Sequence, residues 1–218
     1  VIGSNNNLKD VDSLYGQKIE FDSSKTFQFE NKALIFSKNS YHENVKVKIK
    51  NTRDTLIVEN KNFPLNKPVK IKFKYLETDS LNSHSGIGLI YQKQKIRFLP
   101  SKIVDGEIVS SSFLLGKFLI TKDSIPPTIK PLNFFTGKWM SKNTFIKFTI
   151  EDDFSEIKKY EGRINNKWIL LEYEPKNKTL IYNFNDIKFN ETRLNIELNV
   201  IDNANNISTY KSYIFRKL

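Results

Sequence analysis

The stretch Leu194-Asn195-Ile196-Glu197-Leu198-Asn199-Val200 alternates apolar and polar residues without a break. A period of two predicts a β-strand with one buried and one solvated face. It runs into the polar turn Ile201-Asp202-Asn203-Ala204-Asn205-Asn206, and the turn Glu151-Asp152-Asp153-Phe154-Ser155 follows another alternating strand at 145–150. Between these turns, residues 160–169 indicate two strands that meet at an Asn-Asn-Lys turn. Strands joined by carboxylate and amide turns are typical of an antiparallel sandwich.

A proline-rich segment, Asp123-Ser124-Ile125-Pro126-Pro127-Thr128-Ile129-Lys130-Pro131, divides the chain. Three prolines in nine residues predict a stiff, extended connector between domains. We therefore predict an all-β protein with two consecutive immunoglobulin-like antiparallel β-sandwich domains. The predicted boundaries are a polar lead-in or linker at 1–15, a first sandwich at 16–123, the connector at 124–131 and a second, immunoglobulin-like sandwich at 132–218.

The amino-acid composition limits the partners and the kinds of site that this chain can have. The net charge of +11 comes from 30 Lys and only 5 Arg, and Arg is the residue that contacts phosphates and bases bidentately, so we expect no nucleic-acid partner. No apolar run reaches the roughly 18 residues of a membrane helix, so we expect no transmembrane segment. The absence of cysteine excludes disulfides and thiolate metal sites. No charged and apolar leader precedes Val1, so we expect a mature or trimmed chain.

Two strands alternate apolar residues with lysine, at 45–50 and at 69–75. If both strands belong to one sheet, their lysines form a single basic stripe of Lys46, Lys48, Lys50, Lys70, Lys72 and Lys74. Two interpretations of the stripe stay open. It is a solvated outer face that discourages edge-to-edge aggregation, or a surface that binds an anionic polymer or membrane headgroups.

Acidic residues follow the ends of two predicted strands, with Asp152 and Asp153 after the first and Asp202 after the second. Three roles are open for them. They cap turns through Asx hydrogen bonds, they form a structural calcium site, or they act as a carboxylate pair in glycoside hydrolysis. The sequence does not match the twelve-residue calcium loop, so we assign no firm metal ligand or cofactor.

The remaining candidate site residues are aromatic or histidine. Trp139 lies in a predicted loop and is a candidate platform for stacking on a sugar, whereas Trp168 lies in a strand and we expect it to be buried. His42 and His84 each lack a second histidine at a ligand spacing, and no His-Glu-x-x-His helix is present, so we expect no zinc site. With no cysteine and no Gly-x-Ser-x-Gly motif, we predict no catalytic residue.

Several stretches of the chain form an ordered set of motifs: Ala33 to Glu43, Phe63 to Pro68, Gly116-Lys117-Phe118 before Asp123, Pro127 to Pro131, Ile150 to Ile157, Gly162 to Trp168 and Val200 to Asn206. Together they resemble the C-terminal, non-catalytic region of the large M23-family (lysostaphin/LytM-like) peptidoglycan metallopeptidases of Bacteroidetes. The resemblance covers nearly the whole chain from about Phe21, and its specificity comes from the order and spacing of the motifs.

The chain departs from this family in two respects. The zinc ligands of the peptidase, an H-x-x-x-D and an H-x-H, have no counterpart, since Lys46 stands four residues after His42 and Gly88 four residues after His84. The acidic turns of the family usually carry Gly where this chain has Glu156 and Asn205. Because Glu tolerates a left-handed backbone poorly, we expect the first turn to have a different shape.

The resemblance implies a bacterial cell-envelope protein, periplasmic or secreted. It implies a non-catalytic accessory module that positions or tethers a zinc peptidase domain, which is attached or separate, and that acts on peptidoglycan at one remove. The alternative function is a stand-alone, surface-exposed or adhesin-like module that binds cell-wall glycan or another anionic glycan.

Overall fold

The computed structural model describes residues 11–59, 64–74, 84–92 and 95–217. These residues form 19 strands in four antiparallel sheets and no helix, so the all-β sandwich prediction is confirmed. The described part of the chain accordingly offers no apolar helix that could cross a membrane. The strands belong to two compact units, Val1–Asp123 and Ser124–Leu218.

The first unit is a sandwich of two sheets. Its strands are β1 (Val11–Ile19), β2 (Lys25–Gln28), β3 (Lys32–Phe36), β4 (Val45–Thr52), β5 (Thr55–Glu59), β6 (Val69–Lys74), β7 (Ser85–Ile90), β8 (Arg97–Leu99), β9 (Ser101–Val104), β10 (Glu107–Ser112) and β11 (Lys117–Lys122). One sheet has the order β1-β4-β5-β11-β7-β8 and the other β2-β3-β6-β10-β9. The unit begins earlier than position 16, because β1 starts at Val11, within the predicted lead-in.

The core of the first unit lies between these sheets and follows the predicted alternation. In β4 the apolar residues at 45, 47 and 49 are buried, and in β6 those at 69, 71 and 73 are buried. The lysines between them are exposed or half-buried. A period of two therefore separates a dry face from a charged face in both strands.

Lys32 is a charged residue inside this core. It lies in β3 opposite Phe73, and its side chain is almost fully buried. Its Nζ donates hydrogen bonds to the backbone carbonyls of Thr52 and Arg53 and to Oδ1 of Asn31, each at 2.9 Å. Burial lowers the pKa of Lys32 below 10.5, although nearby acidic residues raise it in part. The ammonium group thus links β3 of one sheet to the β4–β5 turn of the other.

The second unit is a sandwich of two four-stranded sheets. Its strands are β12 (Thr128–Pro131), β13 (Phe145–Glu151), β14 (Ile157–Ile164), β15 (Lys167–Ile169), β16 (Glu172–Glu174), β17 (Thr179–Asn183), β18 (Arg193–Asp202) and β19 (Ile207–Phe215). The sheets have the orders β12-β13-β17-β16 and β15-β14-β18-β19. The immunoglobulin fold divides its strands between two sheets in this way. The immunoglobulin-like assignment stays a prediction, and the strand order supports it.

The second half of the predicted connector, 124–131, is a β-strand and not a linker. Residues Thr128–Pro131 form the edge strand β12, which pairs with β13 from Thr128 opposite Glu151 to Pro131 opposite Phe148. Proline is compatible with this position because an edge strand needs few ladder donors. The proline pair at 126 and 127 precedes the strand.

The core of the second unit is built mainly by β13, β17 and β18. The predicted alternation of β18 is confirmed, because its apolar residues at 194, 196, 198 and 200 are buried while those between them face outward. Tyr182 of β17 is also fully buried, and its hydroxyl makes no hydrogen bond of standard geometry within the described residues, although the backbone of Ile187 lies close enough to lower its pKa in part. Burial raises the pKa of Tyr182 to about 12.

Candidate functional site

The outward surface of the β15-β14-β18-β19 sheet holds a groove of about 690 Å³. We call this surface the groove face. Because the apolar residues of β18 point into the core, its residues at 193, 195 and 197 point outward and form the floor. The residues of the groove that concern its chemistry are Arg163, Arg193, Asn195, Glu197, Lys211 and Tyr213.

One row of charged residues crosses the groove face. Lys211 of β19 lies opposite Glu197 of β18, which lies opposite Arg163 of β14, and Arg163 lies opposite Trp168 of β15. Nζ of Lys211 is 3.4 Å from a carboxylate oxygen of Glu197. At the usual spacing of neighbouring strands, this row is about 14 Å long, which gives room for an extended polar ligand.

The guanidinium of Arg163 is held in place by hydrogen bonds within and next to its own strand. Its Nε and Nη2 donate to Oε1 of Glu161 at 3.0 and 2.8 Å, and Nη1 donates to the carbonyl of Asn166 at 3.3 Å. These hydrogen bonds and the positive charge of Arg163 lower the pKa of Glu161. Asn165 and Asn166 both have positive φ, at 47° and 65°, as a tight two-residue hairpin between β14 and β15 requires.

Aromatic residues lie at both edges of the groove face. On β15, Trp168 is 56% exposed, so the expectation that it is buried is wrong. The buried residue of this strand is its neighbour Ile169, and Trp168 therefore points outward together with Arg163. The sequence predicts a strand here but not which of its faces is buried, because both Trp168 and Ile169 are apolar.

The opposite edge carries a stack of rings. Trp139 is 55% exposed, as the loop position predicts, and its ring stacks on that of Phe215 with centroids 5.2 Å apart. Phe215 contacts the ring of Tyr213 edge to face at 5.6 Å, and the guanidinium of Arg193 lies 4.0 Å from the centroid of Tyr213. The backbone fixes Trp139 here, since the amide of Phe215 donates to the carbonyl of Lys138 at 2.9 Å. The role of Trp139 in ligand binding stays a prediction.

The two acidic turns use their carboxylates as caps. Oδ1 of Asp152 accepts the backbone amides of Phe154, Ser155 and Glu156 at 2.7 to 3.0 Å. Asp202 is fully buried, and its two oxygens accept the amide and the side-chain amide of Asn206 at 2.8 and 2.7 Å. This is the capping role that the sequence allows for both residues.

The calcium interpretation of these turns has weaker support. Carboxylate oxygens of Asp152 and Asp202 approach within 4.8 Å of one another, whereas Asp153 is exposed and is not among the residues brought together. Because the hydrogen bonds of the turns already engage oxygens of the half-buried Asp152 and the buried Asp202, we do not assign a metal site here. These three residues stay candidates only.

Both acidic turns contain one left-handed residue, but at different positions, four residues after Asp152 in the first turn and three residues after Asp202 in the second, so the turns differ in shape. Glu156 has φ of 63° and Asn205 has φ of 64°, so both adopt the left-handed conformation. The amide of Glu156, four residues after Asp152, bonds its carboxylate in the way that the amide of Asn206 bonds Asp202. The hydrogen bonds of the cap therefore hold Glu156 in a conformation that Glu disfavours by itself.

The six lysines of the predicted stripe do not come together, because β4 and β6 belong to different sheets. Both strands bury their apolar face in the same core, but from opposite sides of the sandwich, so their lysines point in opposite directions. The sequence cannot decide which of two amphipathic strands joins which sheet. Two of the lysines have carboxylate neighbours, with Lys48 3.9 Å from Glu59 and Lys72 2.7 Å from Glu107.

Neither histidine forms a cluster with two further candidate metal ligands among the described residues. Nδ1 of His42 lies 3.2 Å from the side-chain nitrogen of Asn66. No protein-family model and no curated protein matches the chain.

Proposed function

We propose that this chain is a non-catalytic module that binds glycan of the bacterial cell envelope, with peptidoglycan as the first candidate. In this proposal it positions or tethers an M23-type zinc endopeptidase domain, attached or separate, in the periplasm or outside the cell. The family resemblance supports the peptidase context, and the missing zinc-ligand motifs support the non-catalytic role.

The single observation that carries the glycan assignment is the groove face. It combines a floor of hydrogen-bonding side chains with exposed rings at both edges, Trp168 on one side and Trp139 on the other. Sugars present hydroxyl groups at their rims and C–H groups on their faces, so a binding site needs polar partners beside flat apolar platforms. The ring of Trp139, which is already stacked on Phe215, loses little side-chain freedom on binding.

The test uses the fact that the chain has two tryptophans and that both lie on the groove face. The full chain is titrated with soluble peptidoglycan fragments while tryptophan fluorescence is recorded, and its retention on purified sacculi is measured in parallel. We expect a saturable fluorescence change and retention. In the W139F variant, the fluorescence reports on Trp168 alone.

Trp168→Ala and Trp139→Ala should each weaken binding by roughly fivefold to tenfold, the value of one aromatic contact. Phe113→Ala is the matched control, because Phe113 is 59% exposed but belongs to the first unit. Equal retention of the wild type and the W139A/W168A double variant would remove the groove face from the proposal.

The non-catalytic role has a separate test. The purified chain is incubated with peptidoglycan and added zinc, and the soluble products are measured over time. We expect no release above that of a boiled sample, and sustained turnover would contradict the proposal. An H-x-x-x-D and an H-x-H motif in the same reading frame would favour an attached peptidase domain over a stand-alone module.

A further inference from the structure

The three cationic residues that line the groove differ in their partners. Arg163 donates to Glu161, and Lys211 lies 3.4 Å from Glu197. Arg193 has no carboxylate within 4.0 Å and donates no hydrogen bond from its guanidinium to any described residue. Among the described residues, Arg193 is therefore the one cationic residue of the groove that has no counter-ion.

The side chain of Arg193 is nevertheless held in place. Arg193 is the first residue of β18 and lies opposite Phe215. Its guanidinium stacks over the ring of Tyr213, 4.0 Å from the centroid. Stacking occupies the flat face of a guanidinium and leaves the N–H groups at its rim available. Tyr213 is in turn packed edge to face on Phe215. An arginine fixed in this way loses less freedom when it binds an anion than a free side chain does.

The charge of the groove also limits the anion. Its lining contains three cationic residues and two acidic ones, Glu191 and Glu197, and two of the cations are paired, Arg163 with Glu161 and Lys211 with Glu197. The guanidinium of Arg193 balances one carboxylate, whereas a dianion such as a phosphate monoester would bring a second negative charge close to the two glutamates of the lining. The planar fork of a guanidinium matches the two oxygens of a carboxylate.

We propose that Arg193 recognises a carboxylate on the bound glycan, so that the groove face selects an acidic sugar chain over its neutral counterpart. The inference rests on the proposed function, since it names the chemical group of the glycan that the groove face binds. In a wall glycan this group is the free lactyl carboxylate of a muramic acid without its stem peptide, which the alternating hexosamine chain presents at regular intervals.

The experiment compares two forms of one probe. Glycan strands of alternating N-acetylglucosamine and N-acetylmuramic acid are freed of peptides by an amidase, and one half of the sample is methyl-esterified to neutralise the carboxylates. Binding of the full chain to each form is measured by tryptophan fluorescence at low salt and at 0.5 M salt. We expect the acidic form to bind about tenfold more tightly at low salt, and the preference to shrink at high salt.

Arg193→Gln should abolish this preference by weakening binding to the acidic form alone, and Arg193→Lys should restore part of it because a lysine keeps the charge but not the fork. Arg53→Gln, in the first unit, controls for the loss of a positive charge. Thermal unfolding of each variant checks that it is folded.

The outcomes separate the two proposals. Equal binding of the acidic and esterified strands by the wild type would overturn the role of Arg193 and leave glycan binding intact. An equal loss of both forms in Arg193→Gln would also overturn it, because the residue would then support the groove rather than read the charge. Failure of the wild type to bind either form or sacculi would overturn the proposed function itself.

Discussion

Replacement of Lys32 by Met should destabilise the first sandwich, although Met fits the apolar surroundings better than an ammonium group does. The substitution removes three hydrogen bonds, two of which satisfy the backbone carbonyls of Thr52 and Arg53. Each carbonyl left without a partner costs about 1–3 kcal/mol. Relief of the desolvation of the charge offsets part of this cost. We therefore expect the free energy of unfolding to fall by about 2–3 kcal/mol.

The pH dependence gives this prediction a second signature. Burial holds the pKa of Lys32 below its unfolded value of 10.5. Between the folded pKa and 10.5, the unfolded chain binds more protons at this residue than the folded chain does, so its contribution to stability rises with pH. The stability difference between the wild type and K32M should accordingly grow as the pH increases toward 10.5, and should be constant at lower pH.

The measurement is urea unfolding of both proteins between pH 7 and pH 10, followed by circular dichroism. Lys38→Met is the matched control, because Lys38 is exposed in the turn after β3 and should change stability by less than about 0.5 kcal/mol. If K32M were as stable as the wild type at neutral pH, the three hydrogen bonds would contribute nothing net. A stability difference that falls with rising pH would show that the pKa is raised rather than lowered.

Three further substitutions test the packing and the turns. Glu156→Gly should stabilise the second unit by about 0.5–1 kcal/mol, because Glu156 has φ of 63° and Gly adopts this conformation freely; a thermal unfolding midpoint below that of the wild type would contradict this. Gly116→Ala should destabilise the first unit by about 1–3 kcal/mol, because a Cβ there would overlap the backbone carbonyl of Ile90. An unchanged urea midpoint would show that the neighbouring strands can separate to make room for the Cβ. Tyr182→Phe should leave stability unchanged or raise it by up to about 1 kcal/mol, because the buried hydroxyl makes no hydrogen bond of standard geometry. A loss above about 1 kcal/mol would show that its contact with the backbone of Ile187 is a stabilising hydrogen bond.

The groove face shows how far local patterns lead toward a site. The alternation of β18 predicted its outward residues correctly, including Asn195 and Glu197. It did not indicate that Arg163 and Lys211 lie beside them, because these residues come from strands 34 and 14 positions away from Glu197 in the sequence. Trp168 was missed for a simpler reason, since a strand with two adjacent apolar residues does not reveal which of them is buried.

The sequence by itself determined most of the strands, the amphipathic faces of those that alternate strictly, and the positions of the acidic turns, because each depends on residues within about ten positions of one another. It also shows that these 218 residues contain no cysteine and so carry no thiol or disulfide. Only the tertiary structure decided which strands share a sheet, and therefore that the lysines of β4 and β6 diverge while Trp168, Arg163, Glu197 and Lys211 form one row. Sheet membership depends on long-range strand pairing through backbone hydrogen bonds, which are nearly the same for every residue type and so leave little trace in the local sequence.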